Sequence, residues 1–338
     1  MMKSVWISAL MLGLAEMVLA VSASLKKDDE WFRGEEARMI YENVLSHQAD
    51  SGAWPKNIDT GAKRFDGRKK DLRGTYDNGA TVDEIRFLAR YFKVTNEIPA
   101  LKAVSKGLRA ILEAQYENGG WPQSPSPGKG YGRHITFNDG TMIGLMELMR
   151  EVASSELFSV VSEAQRKAAE KAFERGVGCL LKCQIKVDGK LTVWCAQHDE
   201  VDFRPRPARS YELVSLSGCE SVGIVRLLMS LDDPSPEIKK AIEGAVAWMR
   251  KARIEKIKVV KKEGDRVVVN DPEAPGLWAR FYDVKTNKPM FSDRDGVVKG
   301  SLAEIGHERR NGYAWYGNWP ASLLEKEYPE WKTKGPGR

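Results

Sequence analysis

The sequence predicts an all-α fold: an α/α toroid of about three paired helices, with a small C-terminal β-hairpin and a loop-rich closing segment. Two observations predict it. A Gly-aromatic-Pro turn occurs twice, as SGAWPK at 51–56 and NGGWPQ at 118–123, each time after a helical run. Around these turns the chain repeats itself. Gln48, Gln115 and Gln184 stand at equivalent places and Arg253 takes a fourth, in steps of 67, 69 and 69 residues. A period of that length suits two helices and their connections.

The elements follow in chain order. MMKSVWISALMLGLAEMVLAVSAS has a basic start at Lys3, an apolar run broken by Glu16, and small residues at Ala20 and Ala23. That pattern predicts a secretory signal peptide over 1–23, followed by a single domain over 24–338. The run is too short and too interrupted to read as a membrane span. In LKAVSKGLRAILEAQ, Leu101, Val104, Leu108, Ile111 and Leu112 mark one face of an outer helix. NGATVDEIRFLARYF, GTMIGLMELMREV and GCESVGIVRLLMSL are more apolar all round, which predicts more deeply buried inner helices. At each turn Gly ends the outer helix and Pro prevents its restart. Trp54 and Trp121 then either pack the turn or offer a face for a sugar ring. A last outer helix near Trp248 gives way to KIKVVKKEGDRVVVN, a β-hairpin turning at Glu263-Gly264-Asp265.

Composition narrows the function. Lys+Arg 53 against Asp+Glu 47 gives a formal charge of +6 in 338 residues. The basic runs GRKKD and IEKIKVVKK are short, so nucleic acid is not the expected partner, whereas a polyanion outside the cell is compatible. Of four cysteines, Cys179 and Cys183 are poorly placed to bridge. Cys195 and Cys219 either pair or stay as buried thiols. There is no zinc spacing, nucleophile elbow, phosphate loop or H-E-x-x-H. His134 and His198 lie near candidate site loops and read as structural.

The lead-ins to the inner helices carry the chemistry. TYDNGAT offers Asp77 and Asn78, and ITFNDGTM offers Asn138 and Asp139. Singly, each pair fits an N-cap. Together, their hard oxygens suit Ca²⁺, with Asp77 and Asp139 as the candidate metal ligands. The third lead-in, FRPRPARSYELVSLSGCE, supplies Arg204, Arg206 and Arg209, then Glu212 and Glu220. Downstream stand Arg280, Arg294, Arg309 and Arg310. Guanidiniums take carboxylates in forked geometry, so several together fit a ligand bearing several carboxylates. Metal-binding aspartates, arginines and aromatics together point to an acidic polysaccharide.

GAWPKN, TYDNGAT, GGWPQ, ITFNDGTM, WCAQHD, PARSYELVSLSGCES, ARFYD, PMFSDRDG and RRNGYAWYG resemble the pectate lyases of polysaccharide lyase family 10, from about Ala37 to Trp319. The resemblance implies the toroid, calcium dependence, and cleavage of polygalacturonate by β-elimination. It makes Arg209 the counterpart of the catalytic base and Asp139 that of a calcium ligand. Asp77 and Asn78 match a cleavage-subsite pair, and Arg280 and Arg294 match substrate-carboxylate binders. Lys56 and Arg310 join the expected substrate contacts. A secreted monomer, extracellular or periplasmic and free of the membrane once the leader is cut, is expected. An arginine base requires a neutral guanidine, which crowding by Ca²⁺ and other guanidiniums would favour. Two other readings stand beside this one. One is a glycoside hydrolase drawing an acid pair from Asp77, Asp139, Glu212 and Glu220. The other is a non-catalytic binder of acidic polysaccharide.

Overall fold

The computed structural model describes residues 20–334. Most of the leader read over 1–23 therefore lies outside the described residues; its end falls in a short helix, Ala20–Ser24. Among the described residues, seven helices have ten or more residues: α1 (Glu35–Ser46), α2 (Val82–Thr95), α3 (Ile98–Ala114), α4 (Thr141–Ser154), α5 (Glu163–Cys183), α6 (Glu220–Met229) and α7 (Pro236–Lys251). The chain divides into two compact units, Met1–Gly128 with Gly140–Gly176, and Lys129–Asp139 with Val177–Arg338. The first holds α1 to α4 and most of α5, and no strand among the described residues.

The second unit overturns the all-α toroid expectation. Among its described residues it carries thirteen strands: β1 (Ile135–Thr136), β2 (Lys186–Val187), β3 (Lys190–Leu191), β4 (Gln197–His198), β5 (Pro205–Arg206), β6 (Leu216–Ser217), β7 (Ile257–Lys262), β8 (Asp265–Asn270), β9 (Trp278–Ala279), β10 (Phe281–Tyr282), β11 (Phe291–Ser292), β12 (Val298–Lys299) and β13 (Tyr316–Gly317). They form a three-stranded sheet, β1-β4-β5, and five two-stranded ones. The fold is mixed α and β. Only the β7–β8 hairpin was legible, and it turns at Glu263 and Gly264, both at positive φ (52° and 83°), as a two-residue hairpin loop requires. The other strands are two residues long, too short to show a period of two.

The helical repeat has a physical basis within each unit. Gln48 Nε2 donates to the Gly52 carbonyl of its own turn and to Ala103 O of α3, both at 2.9 Å. Gln115 does the same to Gly119 O and Ala172 O, and Gln184 to Thr192 O and Ala241 O. Each glutamine thus ties its turn to the helix that opens the next repeat. The tryptophan after each turn donates back to the helix before it: Trp54 to Val44 O, Trp121 to Ile111 O, Trp194 to Leu180 O. Trp54 and Trp121 are fully buried, so they pack the turn and present no face to a sugar. Gly52 and Gly119 sit at φ 93° and 92°, and an added Cβ would strike Lys106 O at 2.7 Å and Arg175 O at 2.1 Å. Glycine is needed there because the next helix comes that close. The second helix of each repeat is the more buried, as predicted: α2, α4 and α6 each expose one residue, Lys93, Ser154 and Arg226.

In the second unit, Ala196, Tyr211, Phe281, Met290, Phe291, Leu302, Ile305 and Trp315 form a core, with Leu213, Tyr313 and Tyr316 packed on it. All four cysteines are free thiols; Cys179 and Cys183 place their sulfurs 4.0 Å apart on α5, and Cys195 and Cys219 do not pair.

Candidate active site

On the first unit the two copies of the turn meet at one carboxylate. Thr75 N donates to Trp54 O in the first copy, and Tyr76 N donates to Gln123 O in the second, each at 2.9 Å. Asp77 follows, in a 3₁₀ turn over Asp77–Gly79 with Asn78 left-handed at φ 56°. Lys56 and Gln123, the residues after proline in the two turns, both donate to Asp77 Oδ2, Gln123 at 2.7 Å. Asp77 Oδ1 is buried and accepts no hydrogen bond. Asn78 is exposed beside it. The structure therefore brings Lys56, Asp77 and Asn78 together. Gln123 is a member that sequence reasoning missed, although its place in the second turn is that of Lys56 in the first.

On the second unit, Asn138 and Asp139 follow β1, and Asn138 N is anchored on Ala196 O. Asp139 adopts φ 50° and is about one-third exposed. Its Oδ1 accepts from Arg280 Nη2 at 3.0 Å and its Oδ2 from Asn138 Nδ2 at 2.6 Å. Arg280 lies between β9 and β10, clamped by its own N–H on Trp315 O and its carbonyl on Gly218 N. Gly218 is obligatory, since a Cβ would meet Ala279 O at 2.4 Å. The same Arg280 Nη2 reaches Glu220, whose other oxygen accepts from the Ser217 hydroxyl. Burial would lower the pKa of Arg280, but the Glu220 carboxylate beside it raises it well above the usual range.

Tyr313 joins this group to Arg209. The Arg280 guanidinium lies 4.8 Å from the Tyr313 ring centre and that of Arg209 5.7 Å. Arg209 sits in a tight turn closed by Glu212 N on Arg209 O, and its side chain forks onto Glu212. That hydrogen bond raises the Arg209 pKa rather than lowering it. The sequence reading expected Ca²⁺ and other guanidiniums to favour a neutral Arg209; the carboxylate of Glu212 beside it acts in the opposite direction. Burial alone would push Glu212 up, yet Arg209 holds it below the ordinary carboxylate range.

The other arginines divide. Arg204 and Arg206 pair with Asp202 and Asp199 in their own loop. Arg294 is mostly exposed and holds Glu308 at 3.1 Å, and Glu308 also takes Arg309 at 2.7 Å. Arg309 lies 4.2 Å from the Tyr211 ring and so belongs to the aromatic group around Arg209. Arg310, expected among the substrate contacts, is not brought to that group; it holds Asp265 of the hairpin and the Ile305 carbonyl.

His134, Asp199 and Glu200 place ligand atoms within 4.8 Å of one another. All four carboxylate oxygens are already engaged: Glu200 by Arg133 and His134, Asp199 by Arg206 and the N–H groups of Val201 and Asp202. His198 is a buried neutral imidazole, its pKa pushed down by burial to about 4, with Nδ1 on Phe203 O and Nε2 accepting from Cys195 N.

The family described as Pectic acid lyase matches residues 48–324. No curated protein matches the sequence. Among solved structures, the chain is similar to a family 10 polysaccharide lyase from Cellvibrio cellulosa, at 35% identity and a TM-score of 0.80, over 89% of this chain and 95% of that one. It is equally similar to an Asp→Ala mutant of the family 10 lyase from that organism in complex with trigalacturonic acid, at 34% identity and a TM-score of 0.80, over 89% and 96% of the two chains.

Proposed function

The chain belongs to the pectic acid lyase family, and from that premise we propose that this pectate lyase cleaves unmethylated polygalacturonate by anti β-elimination with Arg209 as the base. The observation that carries the reading is the run Arg209–Tyr313–Arg280–Asp139, which sets two guanidiniums about one aromatic ring beside an aspartate. The trigalacturonic acid held by the similar structure is a ligand of the class such a group would recognise.

The substrate's chemistry matches. H5 of a galacturonate lies alpha to the C6 carboxylate, so its removal builds negative charge that nearby cations stabilise. H5 and O4 are both axial on opposite faces, and anti elimination needs no ring distortion. In this proposal Arg280 and Arg294 of the second unit hold substrate carboxylates and neutral Arg209 takes H5; on the first unit, Lys56 is the residue for a substrate carboxylate and Asn78 a donor to a sugar hydroxyl. O4 leaves with a proton from water, and a C4–C5 double bond remains.

The donor set fits calcium. Asp77 keeps a buried carboxylate oxygen that accepts nothing, and Asp139 offers a partly exposed carboxylate next to an amide. Asp77 on the first unit and Asp139 on the second are therefore each a residue that would ligate calcium, whereas the saturated His134–Asp199–Glu200 group fits it poorly. Bound calcium would supply positive charge to the substrate carboxylate. The leader expected over 1–23 supports a location outside the cytoplasm, where such a polymer lies.

The test is digestion of unmethylated polygalacturonate with and without added Ca²⁺, followed by ultraviolet absorbance of unsaturated ends. Arg209→Ala is expected to abolish turnover and to leave oligogalacturonate binding largely intact. Saturated product ends, or near-full turnover by Arg209→Ala, would refute the proposal.

A further inference from the structure

We propose that Glu212 is the positioning residue of Arg209, holding the guanidinium so that Nη1 is the nitrogen that accepts the substrate proton. The inference rests on the reading of Arg209 as the base.

Glu212 is 4% exposed, and its two oxygens accept four hydrogen bonds. Oε2 takes Arg209 N–H at 3.1 Å and Nε–H at 2.7 Å. Oε1 takes Nη2–H at 2.5 Å and the Tyr313 hydroxyl at 2.8 Å. Two of the three guanidinium nitrogens are thus committed, and Nη1 donates to nothing among the described residues. The rings of Tyr211, at 5.0 Å, and Tyr313, at 5.7 Å, fix the plane from the side.

A neutral guanidine keeps one nitrogen with a free lone pair, the one that has lost a proton. Loss from Nε, or of the Nη2 proton that faces Oε1, would set that lone pair against a carboxylate oxygen. Loss from Nη1 keeps both bonds to Glu212 intact and puts the lone pair on the one guanidinium nitrogen not tied to the carboxylate, so the base forms there. The Nη1 lone pair then takes H5 and the C–H pair becomes the C4–C5 π bond. The C4–O pair leaves with the glycosidic oxygen, which takes its proton from water. Arg209 afterwards returns its proton to solvent.

The same carboxylate has an opposing effect. Arg209 faces Glu212 and Tyr211 from its own loop and Tyr313 from the C-terminal segment, with Arg309 and Arg280 acting through the two rings. Glu212 is the one anion among them at neutral pH, so it makes the guanidinium harder to deprotonate. Orientation is gained at the expense of the neutral fraction, and substitutions at 212 separate the two.

The experiment is the pH dependence of kcat and KM on unmethylated polygalacturonate for Glu212→Gln, Glu212→Ala, Glu212→Asp and Arg209→Ala. Glu212→Gln keeps the shape and removes the charge, so its rising alkaline limb is expected to move to lower pH by about one unit or more. Glu212→Ala loses orientation, so kcat is expected to fall about 100-fold with KM within about threefold, and Glu212→Asp to recover part of it. Tyr313→Phe removes one donor from Oε1 and is expected to lower kcat about threefold to tenfold; it serves where the alanine variant does not fold. A Gln profile superposing on wild type, together with an Ala or Phe variant of unchanged kcat, overturns the inference while a dead Arg209→Ala leaves the base assignment standing. An active Arg209→Ala overturns both.

Discussion

Two buried glutamates, one in each unit, meet opposite fates. Glu84 on α2 is 6% exposed and Glu212 is 4% exposed, so burial treats them alike. Glu84 receives only neutral donors, the Thr60 hydroxyl and the Thr81 N–H, as the acidic member of a capping box. Burial pushes its pKa up to about 7. Glu212 receives a guanidinium, which holds its pKa below the ordinary carboxylate range. The first unit uses a carboxylate to start a helix; the second uses one to aim an arginine. Burial alone does not identify a functional carboxylate; the charge of its partner does.

The largest effect is expected where the second unit's pattern is broken outright. Arg280 is 7% exposed and serves both Asp139 and Glu220. Arg280→Met leaves the Glu220 carboxylate buried without its cation, a change that costs about 3–5 kcal/mol. Denaturant unfolding should show that loss, and kcat/KM on polygalacturonate should fall about 100-fold to 1,000-fold. Arg280→Lys restores charge but not the shared reach to two carboxylates, so it should recover only part of both. An Arg280→Met protein as stable as wild type would mean that the buried Glu220 carboxylate does not depend on a cation beside it, and the contrast between the units would collapse.

The next effect belongs to the first unit. Glu84 has a folded pKa of about 7 against an ordinary 4.5. Its protonated form is the one that folding favours, so its contribution to stability is complete below about pH 4.5 and is lost as pH rises through 7. The shift corresponds to about 3 kcal/mol at pH 8, on the order of 1.4 kcal/mol for each unit. Glu84→Gln removes this dependence. Thermal midpoints of wild type and variant should lie closest near pH 4.5 and separate toward pH 8, with the variant the more stable. A gap constant with pH would show that neutral donors ionise a buried carboxylate as well as a guanidinium does.

The two units also differ in how much of them the sequence disclosed. The repeat was legible because Gln48, Gln115 and Gln184 perform one task, each bonding two carbonyls that tertiary structure brings together. A position with a fixed hydrogen-bonding duty leaves a mark at a fixed spacing. The two-residue strands of the second unit leave none, because their pairing is set by loops that meet far along the chain, as β6 meets β10 and β9 meets β13. The Asp77 and Asp139 lead-ins were visible as motifs, but their partners were not. Nothing in the sequence distinguishes Arg309, which faces the aromatic group, from Arg310, which holds the hairpin; the short helix His307–Asn311 turns the two apart. Tyr313 lies 101 residues from Glu212 in sequence, and only the fold reveals that the two are bonded.

The smallest effect tests whether the first unit contains a charge-based device after all. Asp77 Oδ2 is shared by Lys56 and Gln123, a cation and a neutral amide at the same place in two copies of one turn. If the partner's charge governs a buried carboxylate, the two are not equivalent. Gln123→Ala removes one hydrogen bond and leaves the ion pair, a loss of about 0.5–1.5 kcal/mol, or about threefold to tenfold in kcat/KM. Lys56→Ala removes the cation paired with a carboxylate whose side chain is 2% exposed, and should cost at least tenfold more. Both variants are compared on polygalacturonate across a calcium titration. Added calcium should offset the lysine loss better than the glutamine loss, because a cation replaces charge and not an amide N–H. Equal losses, equally rescued, would mean that Asp77 responds to the number of its hydrogen bonds and not to the charge beside it.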